Sequence, residues 1–201
     1  MTRSFRDLLL HSAAIRKHFE AKHFRAREKF RSDYRLLASA LLGRLAFDSV
    51  FDVGCANGFL LEAFLAAGKR IGGIELSAAA VAVLPPAVRP SIGIGDFAQT
   101  TGRWDLVCCV EVAEHIVPAR SAELVAVVAG AADRWVYFTA APPGQSGRGH
   151  INCRPPEDWL ALFGAEGWSL DEGVTADLRA DLDALSEAHW LRGNSLVLRP
   201  A

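Results

Sequence analysis

The sequence predicts an α/β protein whose main domain is a mostly parallel sheet of seven strands with helices on both faces. Short apolar runs alternate with amphipathic helical stretches from about residue 46 onward, and a glycine-containing turn joins the first run to the next helix. The 201 residues are 51% hydrophobic, which is enough for one sizeable core. We assign residues 46–201 to this domain and residues 1–45 to a basic helical extension or lid.

Each expected element follows from local periodicity and punctuation. The expected strands are 49–53, 70–75, 91–94, 105–110, 135–141, 168–174 and 195–199. The expected helices are 5–22, 28–44, 58–67, 77–84, 119–132, 159–165 and 176–190. Ser77 is a favourable N-cap, and the prolines at 155 and 156 mark another helix start. In such a sheet, ligands bind outside the carboxyl ends of the strands.

The turn after the first strand predicts a nucleotide site. Gly54 and Gly58 lie in this turn, Asp52 precedes it, and Glu75 ends the second strand 23 residues after Asp52. Glycine lets the backbone approach a ligand that a β-carbon would block, and the following helix begins with unpaired N–H groups. We expect Glu75 to accept hydrogen bonds from a ribose diol.

The spacing of the glycines separates two nucleotide classes. A dinucleotide turn has the pattern G-x-G-x-x-G, which, counted from Gly54, requires glycine at positions 56 and 59. Those positions hold Ala56 and Phe59. Because Phe59 is bulky, a pyrophosphate turn and an NAD-dependent oxidoreductase are disfavoured.

The turn resembles motif I of the class I S-adenosylmethionine-dependent methyltransferases, D-x-G-x-G-x-G, with Ala56 in place of the middle glycine. Gly95-Asp96-Phe97 resembles the element in which an aspartate accepts from the adenine amino group, and Asp105 resembles the aspartate of motif IV. The resemblance implies a Rossmann-like fold and S-adenosylmethionine as cofactor. It also implies these cofactor-binding residues: Asp52, Gly54, Ala56, Gly58, Glu75, Asp96, Phe97 and Glu111.

The segment after the fourth strand resembles the E-x-x-E-H of ubiquinone-type O-methyltransferases and of small-RNA 3′-end 2′-O-methyltransferases. It consists of Glu111, Glu114 and His115, which we expect on one helical turn. His150 follows the fifth strand, a neighbour of the fourth in this family. The second resemblance implies that these four residues form a tetrad of ligands for a divalent metal ion.

Three interpretations of this cluster remain open from the sequence. It forms a wall of the cofactor pocket, or it holds a metal through Glu111, Glu114, His115 and His150, or it is catalytic. In the catalytic case His115 or His150 is the general base, with Glu114 beside them. Methyl transfer to a hydroxyl oxygen needs a base or a metal to remove the proton.

Other polar and aromatic residues have two interpretations each. Arg148 and Arg154 are either solvated loop charges or hold a carboxylate or phosphate of the acceptor. Tyr34 either closes over the methionine end of the cofactor or is a core aromatic. His189 and Trp190 either pack in the core or cap the acceptor pocket.

Charge is unevenly distributed along the chain. Residues 1–35 hold ten Lys or Arg and four Asp or Glu, a net charge of +6, whereas the remainder has a net charge of −7. The basic segment is either an amphipathic helix pair docked on the domain or a platform for an anionic substrate, RNA or a membrane surface.

Composition also narrows the location of the protein. The four cysteines form no C-x-x-C pair, which predicts reduced thiols in a cytoplasmic protein. No charge-free run of eighteen apolar residues occurs, so we expect no transmembrane segment, and we expect no signal peptide.

These features together predict a methyltransferase that acts on an oxygen of a small or medium-sized acceptor. One alternative is a metal-dependent RNA 2′-O-methyltransferase that uses the basic N-terminal segment. Another is a non-catalytic partner subunit that binds S-adenosylmethionine.

Overall fold

The computed structural model describes residues 21–201, which contain one seven-stranded sheet in the order β3-β2-β1-β4-β5-β7-β6. Its strands are β1 Ser49–Val53, β2 Arg70–Glu75, β3 Ile92–Ile94, β4 Trp104–Val110, β5 Ala132–Thr139, β6 Trp168–Leu170 and β7 Leu196–Pro200. β7 runs antiparallel to both of its neighbours, and the other pairs are parallel. The predicted mostly parallel α/β sheet is confirmed.

Helices cover both faces of this sheet, as predicted. In the described residues they are α1 Ala21–Ala26, α2 Arg31–Arg44, α3 Phe59–Ala66, α4 Ala78–Val81, α5 Ser121–Ala131, α6 Pro156–Ala165, α7 Glu172–Asp181 and α8 Trp190–Asn194. One core cluster includes Leu41 of α2 and Phe64 of α3, and the opposite cluster includes Phe163 of α6. Because successive strand residues face opposite sides, Leu106 belongs to the first cluster and Val107 to the second.

The C-terminal part differs most from the expected element boundaries. The expected strand 168–174 ends at Leu170, because Asp171 instead caps a helix by accepting a hydrogen bond from the backbone N–H of Val174 at 3.0 Å. The expected helix 176–190 is therefore wrong at both ends, since α7 begins earlier and a separate short helix, α8, follows it.

Elsewhere the differences are shifts of a few residues or changes of helix type. The expected helix 28–44 begins as a 3₁₀ turn at Arg27–Phe30, the helix 77–84 shortens to α4, the helix 119–132 begins at Ser121, and the strand 135–141 becomes Ala132–Thr139. The 3₁₀ turns Ala113–His115 and Pro118–Arg120 lie between β4 and α5.

The expected helix 5–22 lies outside the described residues apart from its last two positions. The rest of the N-terminal segment is bound to the domain through Asp33 of α2. Its carboxylate accepts hydrogen bonds from the backbone N–H groups of Ser186, Glu187 and Ala188 at 2.6–3.1 Å and from the Ser186 hydroxyl at 2.9 Å. Within the described residues, no helix is both long and apolar enough to cross a bilayer.

Candidate functional site

A pocket opens at the carboxyl ends of β1, β2 and β4, with α1 and α2 closing one side. Its empty space amounts to about 1130 Å³, including the part that is open to solvent. The chain turns outward from β1 to β2 and β3 and then crosses back to β4, so the pocket lies at the point where the strand order reverses. This is where open α/β sheets bind their ligands.

The motif I turn forms the floor of the pocket in a left-handed backbone conformation. Gly54, Ala56 and Gly58 have φ values of 76°, 46° and 67°. A β-carbon added at Gly54 would lie 2.6 Å from Cγ2 of Val112, in the segment after β4. The structure thus gives a further reason for this glycine that the sequence did not show: Val112 leaves no room for a side chain, and the positive φ disfavours one.

Two buried carboxylates lie beside this turn. Glu75 Oε2 accepts from the N–H of Ala56 at 2.9 Å, and its Oε1 accepts from the N–H of Ser77 at 2.7 Å. Each of these oxygens can accept a second hydrogen bond. Asp52 Oδ1 has no hydrogen-bond partner among the described residues. Burial, aided by the negative charge of Glu75, raises the pKa of Asp52 to about 7.

A second group of side chains lines the pocket where β3 ends. Both oxygens of Asp96 accept from the Arg120 guanidinium, at 2.7 and 2.8 Å, and this guanidinium stacks 4.1 Å above the Phe97 ring. Arg120 also binds Glu123, and its hydrogen bonds to the two carboxylates raise its pKa. Sequence reasoning missed Arg120, because its position before α5 does not reveal that it reaches Asp96.

The N-terminal segment supplies the outer wall. Phe24 is 4% exposed, and its carbonyl accepts a hydrogen bond at 2.8 Å from the side-chain amide of Asn57 in the motif I turn. Arg27 and Tyr34 line the same pocket, and the Arg27 guanidinium lies 3.4 Å from the Tyr34 hydroxyl. Sequence reasoning missed Phe24, Arg27 and Asn57, whose contact depends on how α1 docks.

The E-x-x-E-H segment does not form the expected α-helical turn. Glu111 follows β4 with a φ of 53°, and its N–H donates to the backbone oxygen and the hydroxyl of Thr139 in β5. The 3₁₀ turn that carries Glu114 and His115 begins only at Ala113. The helical spacing that we expected for Glu111 is therefore wrong, because pairing with β5 holds it at the end of the sheet.

Glu114, His115 and His150 converge, with one potential ligand atom of each lying within 4.8 Å of the others. Glu114 Oε1 is 4.0 Å from His115 Nε2 and 3.9 Å from His150 Nε2. His115 Nδ1 lies 3.1 Å from the Gly149 carbonyl, and His150 Nδ1 lies 3.1 Å from the Gln145 carbonyl. Since a carbonyl only accepts, both Nδ1 atoms carry the proton, and the Nε2 atoms are the ones that face Glu114.

The electrostatics of this group suit a cation. Glu114 is fully buried, and neither of its oxygens makes a hydrogen bond of good geometry among the described residues; the backbone N–H groups of Glu114 and Ala141 lower its pKa but offset its burial only in part. Burial and then the charge of Glu111 raise the pKa of Glu114 to about 8, whereas burial lowers the pKa of His115 to about 4. Two imidazoles whose Nδ1 atoms face carbonyls, together with this buried carboxyl group, form a donor set that fits a divalent ion.

Of the four predicted metal ligands, Glu111 lies outside this group of three. Its Oε1 accepts from the Asn194 amide at 3.0 Å, and its Oε2 accepts from the Gln145 amide at 3.3 Å. Glu111 lines the pocket beside the motif I turn, as does His115, so the pocket and the group of three share a wall. Nothing in the sequence marked Gln145 or Asn194 as partners of Glu111.

Several other candidates have structural contacts. Arg154 donates to the Asn152 side chain at 2.8 Å and to a backbone carbonyl, which ties down the loop. Trp190 is 37% exposed and packs edge-on against Phe30, with ring centroids 5.6 Å apart. Asp105 binds the backbone around residue 49 at the opposite end of the sheet from the pocket.

Comparison with known proteins places the chain in a family. No family model matches it. It is 31% identical to the ubiquinone biosynthesis O-methyltransferase of Azotobacter vinelandii over 165 residues, which cover 77% of this chain and 67% of that protein. The chain belongs to the class I S-adenosylmethionine-dependent methyltransferases. The ubiquinone biosynthesis O-methyltransferase of Bordetella parapertussis is 27% identical to this chain over 133 residues, which cover 62% of this chain and 51% of that protein. The chain thus spans about half the length of that relative.

Solved structures show the same fold. Magnesium protoporphyrin IX methyltransferase from Synechocystis PCC 6803, with bound S-adenosylmethionine, superposes with a TM-score of 0.67 at 19% identity over 94% of this chain and 95% of that one. An amino pentose methyltransferase from Micromonospora echinaspora gives a TM-score of 0.62 at 16% identity, over 90% of this chain and 95% of its own. These similarities show that the chain shares the fold of both proteins.

Proposed function

We propose that this methyltransferase transfers the methyl group of S-adenosylmethionine to a hydroxyl oxygen of a small or medium-sized acceptor. One observation carries the proposal: His115 lines the pocket beside motif I and also belongs to the convergent group of Glu114, His115 and His150. This group is suited to removing a hydroxyl proton. The family relationship to O-methyltransferases supports the same reaction.

The assignment of the cofactor follows the order of the polar groups along the pocket. Asp96 and Phe97 take the adenine, with one face of Asp96 already held by Arg120. Glu75 accepts from the ribose hydroxyls, and Asp52 and Glu111 lie toward the methionine end. A carboxylate beside the ammonium group of the cofactor gains a charge-assisted hydrogen bond, which favours its ionised form despite burial.

In the transfer step, an acceptor hydroxyl lies between the methyl group and the Nε2 atoms of His115 and His150. An imidazole removes the hydroxyl proton while the oxygen attacks the methyl carbon. The carbon–sulfur bond breaks, and S-adenosylhomocysteine leaves as a neutral thioether. The chain supplies alignment and proton removal, because the sulfonium donor is already activated.

The same residues fit a divalent ion, and this is a second form of the proposal. Glu114, His115 and His150 would hold the ion, with Glu111 beside them. An ion there would lower the pKa of a bound acceptor hydroxyl and so replace the imidazole base. The buried Glu114 favours this form, since its oxygens make no hydrogen bond of good geometry among the described residues and an ion would supply the missing partner.

Neither the described residues nor the comparisons add support for an RNA acceptor, and most of the basic segment lies outside the described part. The non-catalytic subunit is disfavoured by the intact group of Glu114, His115 and His150. Calorimetry with S-adenosylhomocysteine and with NAD, followed by a screen with labelled donor against phenols, acids, sugars and short RNAs, tests the proposal. Each acceptor is assayed with Mg²⁺, with Mn²⁺ and with chelator. NAD binding without S-adenosylhomocysteine binding would refute the proposal.

A further inference from the structure

Two side-chain amides form a closed hydrogen-bonded triangle with Glu111. The Asn194 amide nitrogen donates to Glu111 Oε1 at 3.0 Å and to Gln145 Oε1 at 3.1 Å. The Gln145 amide nitrogen donates to Glu111 Oε2 at 3.3 Å. Each carboxylate oxygen therefore faces one N–H donor, and the two amides also bind each other.

Gln145 connects this triangle to the group of three. Its backbone carbonyl accepts the Nδ1–H of His150, so one residue orients the Glu111 carboxylate through its side chain and the His150 imidazole through its backbone. Gly147 packs against the same imidazole so closely that a β-carbon there would overlap the ring. The loop after β5 is thus shaped around these two groups.

Asn194 is the last residue of α8, and hydrogen bonds hold the backbone around it in place. The next residue, Ser195, is fully buried; its hydroxyl donates to the Leu191 carbonyl at 2.6 Å and lies 2.9 Å from the Tyr137 hydroxyl. The Arg179 guanidinium donates to the Ser195 carbonyl at 2.9 Å. Because the backbone on both sides is held, the Asn194 amide has little freedom to move away from Glu111.

Amide N–H groups can only donate, so this pair presents Glu111 as a carboxylate with a defined plane. Glu111 lines the same pocket as His115, so the charge that the two amides fix in place lies beside the group of three. We propose that Asn194 and Gln145 are positioning residues that hold Glu111 and His150 in place for a divalent cation bound at Glu114, His115 and His150. This inference rests on the metal-dependent form of the proposed function.

The test titrates the metal-free protein with Mn²⁺ alone by calorimetry and follows folding by circular dichroism. Asn194→Ala and Gln145→Ala remove the donors, and Asn194→Asp keeps the shape while placing a second acceptor against Glu111. Loss of a residue that orients metal ligands typically costs about 10–100-fold in metal affinity. We expect a rise of that order in the Mn²⁺ dissociation constant for each variant, with the largest for Asn194→Asp.

Matched controls come from the same two elements. Arg192→Ala removes an exposed ion pair on α8, and Ser146→Ala changes the exposed neighbour of Gln145. Both should bind Mn²⁺ as the unchanged protein does. Because a positioning defect weakens binding without destroying the site, excess Mn²⁺ should restore methylation in Asn194→Ala; activity that stays low once Mn²⁺ binding is saturated contradicts the inference.

Equal Mn²⁺ affinity in the three variants and the unchanged protein would overturn the inference alone. If Glu114→Gln binds Mn²⁺ as well as the unchanged protein does, or if the unchanged protein binds none, the metal site is overturned together with the inference. Titration of the same samples with S-adenosylhomocysteine then shows whether the methyltransferase proposal still stands, since Glu75 and Asp96, which are assigned to the cofactor, lie outside the group that would hold the ion.

Discussion

Replacing Glu114 with glutamine should stabilise the metal-free protein and remove its response to divalent ions. Glu114 is fully buried, and its two oxygens make no hydrogen bond of good geometry among the described residues. Leaving a charge buried and uncompensated costs about 3–5 kcal/mol, whereas an unpaired neutral amide costs about 1–3 kcal/mol. The substitution should therefore raise the free energy of unfolding by about 2 kcal/mol.

This gain depends on pH in a defined direction. Burial raises the pKa of Glu114 to about 8 from the usual 4.5 of a glutamate. Below pH of about 4.5 the carboxyl is protonated in both the folded and unfolded states, so its ionisation does not affect stability there. As pH rises toward 8, the unfolded state ionises first, and the free energy of unfolding falls. The advantage of Glu114→Gln should therefore appear as pH rises through this window.

A bound ion should reverse the order of stability. An ion at 100 times its dissociation constant stabilises the folded protein by about 2.7 kcal/mol, and Glu114→Gln should lose most of this. For a domain of this size, 1 kcal/mol corresponds to about 2–4 °C in melting temperature. We expect the variant to melt about 4–8 °C higher in chelator at pH 8.5 and to show little shift with Mn²⁺, whereas the unchanged protein shifts upward.

The assay is thermal unfolding at pH 5 and pH 8.5, with chelator or with Mn²⁺. Glu166→Gln, at an exposed position, is the control and should change neither the melting temperature nor its response to Mn²⁺. A lower melting temperature for Glu114→Gln in chelator at pH 8.5 would refute the reasoning, because it would mean that the carboxylate has a stabilising partner.

The remaining predictions concern the cofactor pocket, the loop and the fold. Glu75→Ala should raise the dissociation constant of S-adenosylhomocysteine at least tenfold in calorimetry, since a charge-assisted hydrogen bond contributes about 1.5–3 kcal/mol; an unchanged constant would contradict the ribose assignment. Arg120→Ala should weaken S-adenosylhomocysteine binding several-fold, because Asp96 and Phe97 lose the guanidinium that holds them. Equal affinity would show that Arg120 does not contribute to the site. Gly147→Ala should displace His150 and lower kcat. The control is Gly130→Ala, whose added β-carbon meets no atom within 4 Å. Equal kcat values for the two variants would show that the loop after β5 can move to accommodate the β-carbon. Burial works to raise the pKa of Asp33, but hydrogen bonds from three backbone N–H groups outweigh it and lower the pKa. Its stabilising effect is therefore present above about pH 4 and lost as pH falls through the lowered pKa, so Asp33→Asn should reduce the urea midpoint at pH 7, and this reduction should shrink as the pH falls below about 4.

The sequence by itself determined the sheet and the ends of its first strands. The alternation of apolar runs, the glycines at 54 and 58, and the acids at 52 and 75 depend on contacts between nearby residues, which local spacing encodes. It also placed Glu114, His115 and His150 together, because β4 and β5 are neighbours and their carboxyl ends lie at one rim. The element boundaries predicted from the sequence were wrong where a side chain caps a helix, as Asp171 does by accepting a hydrogen bond from the N–H of Val174.

Only the tertiary structure decided what surrounds those groups. Glu111 does not share a helical turn with Glu114 and His115, because its N–H donates to Thr139 in the neighbouring strand. Its carboxylate accepts a hydrogen bond from Asn194, which is 83 residues away along the chain. Arg120 reaches Asp96 and Asn57 reaches Phe24 in the same non-local way. Such partners have no fixed spacing in sequence, since they depend on how packed helices and loops bring distant backbone together, and packing is a property of the whole core.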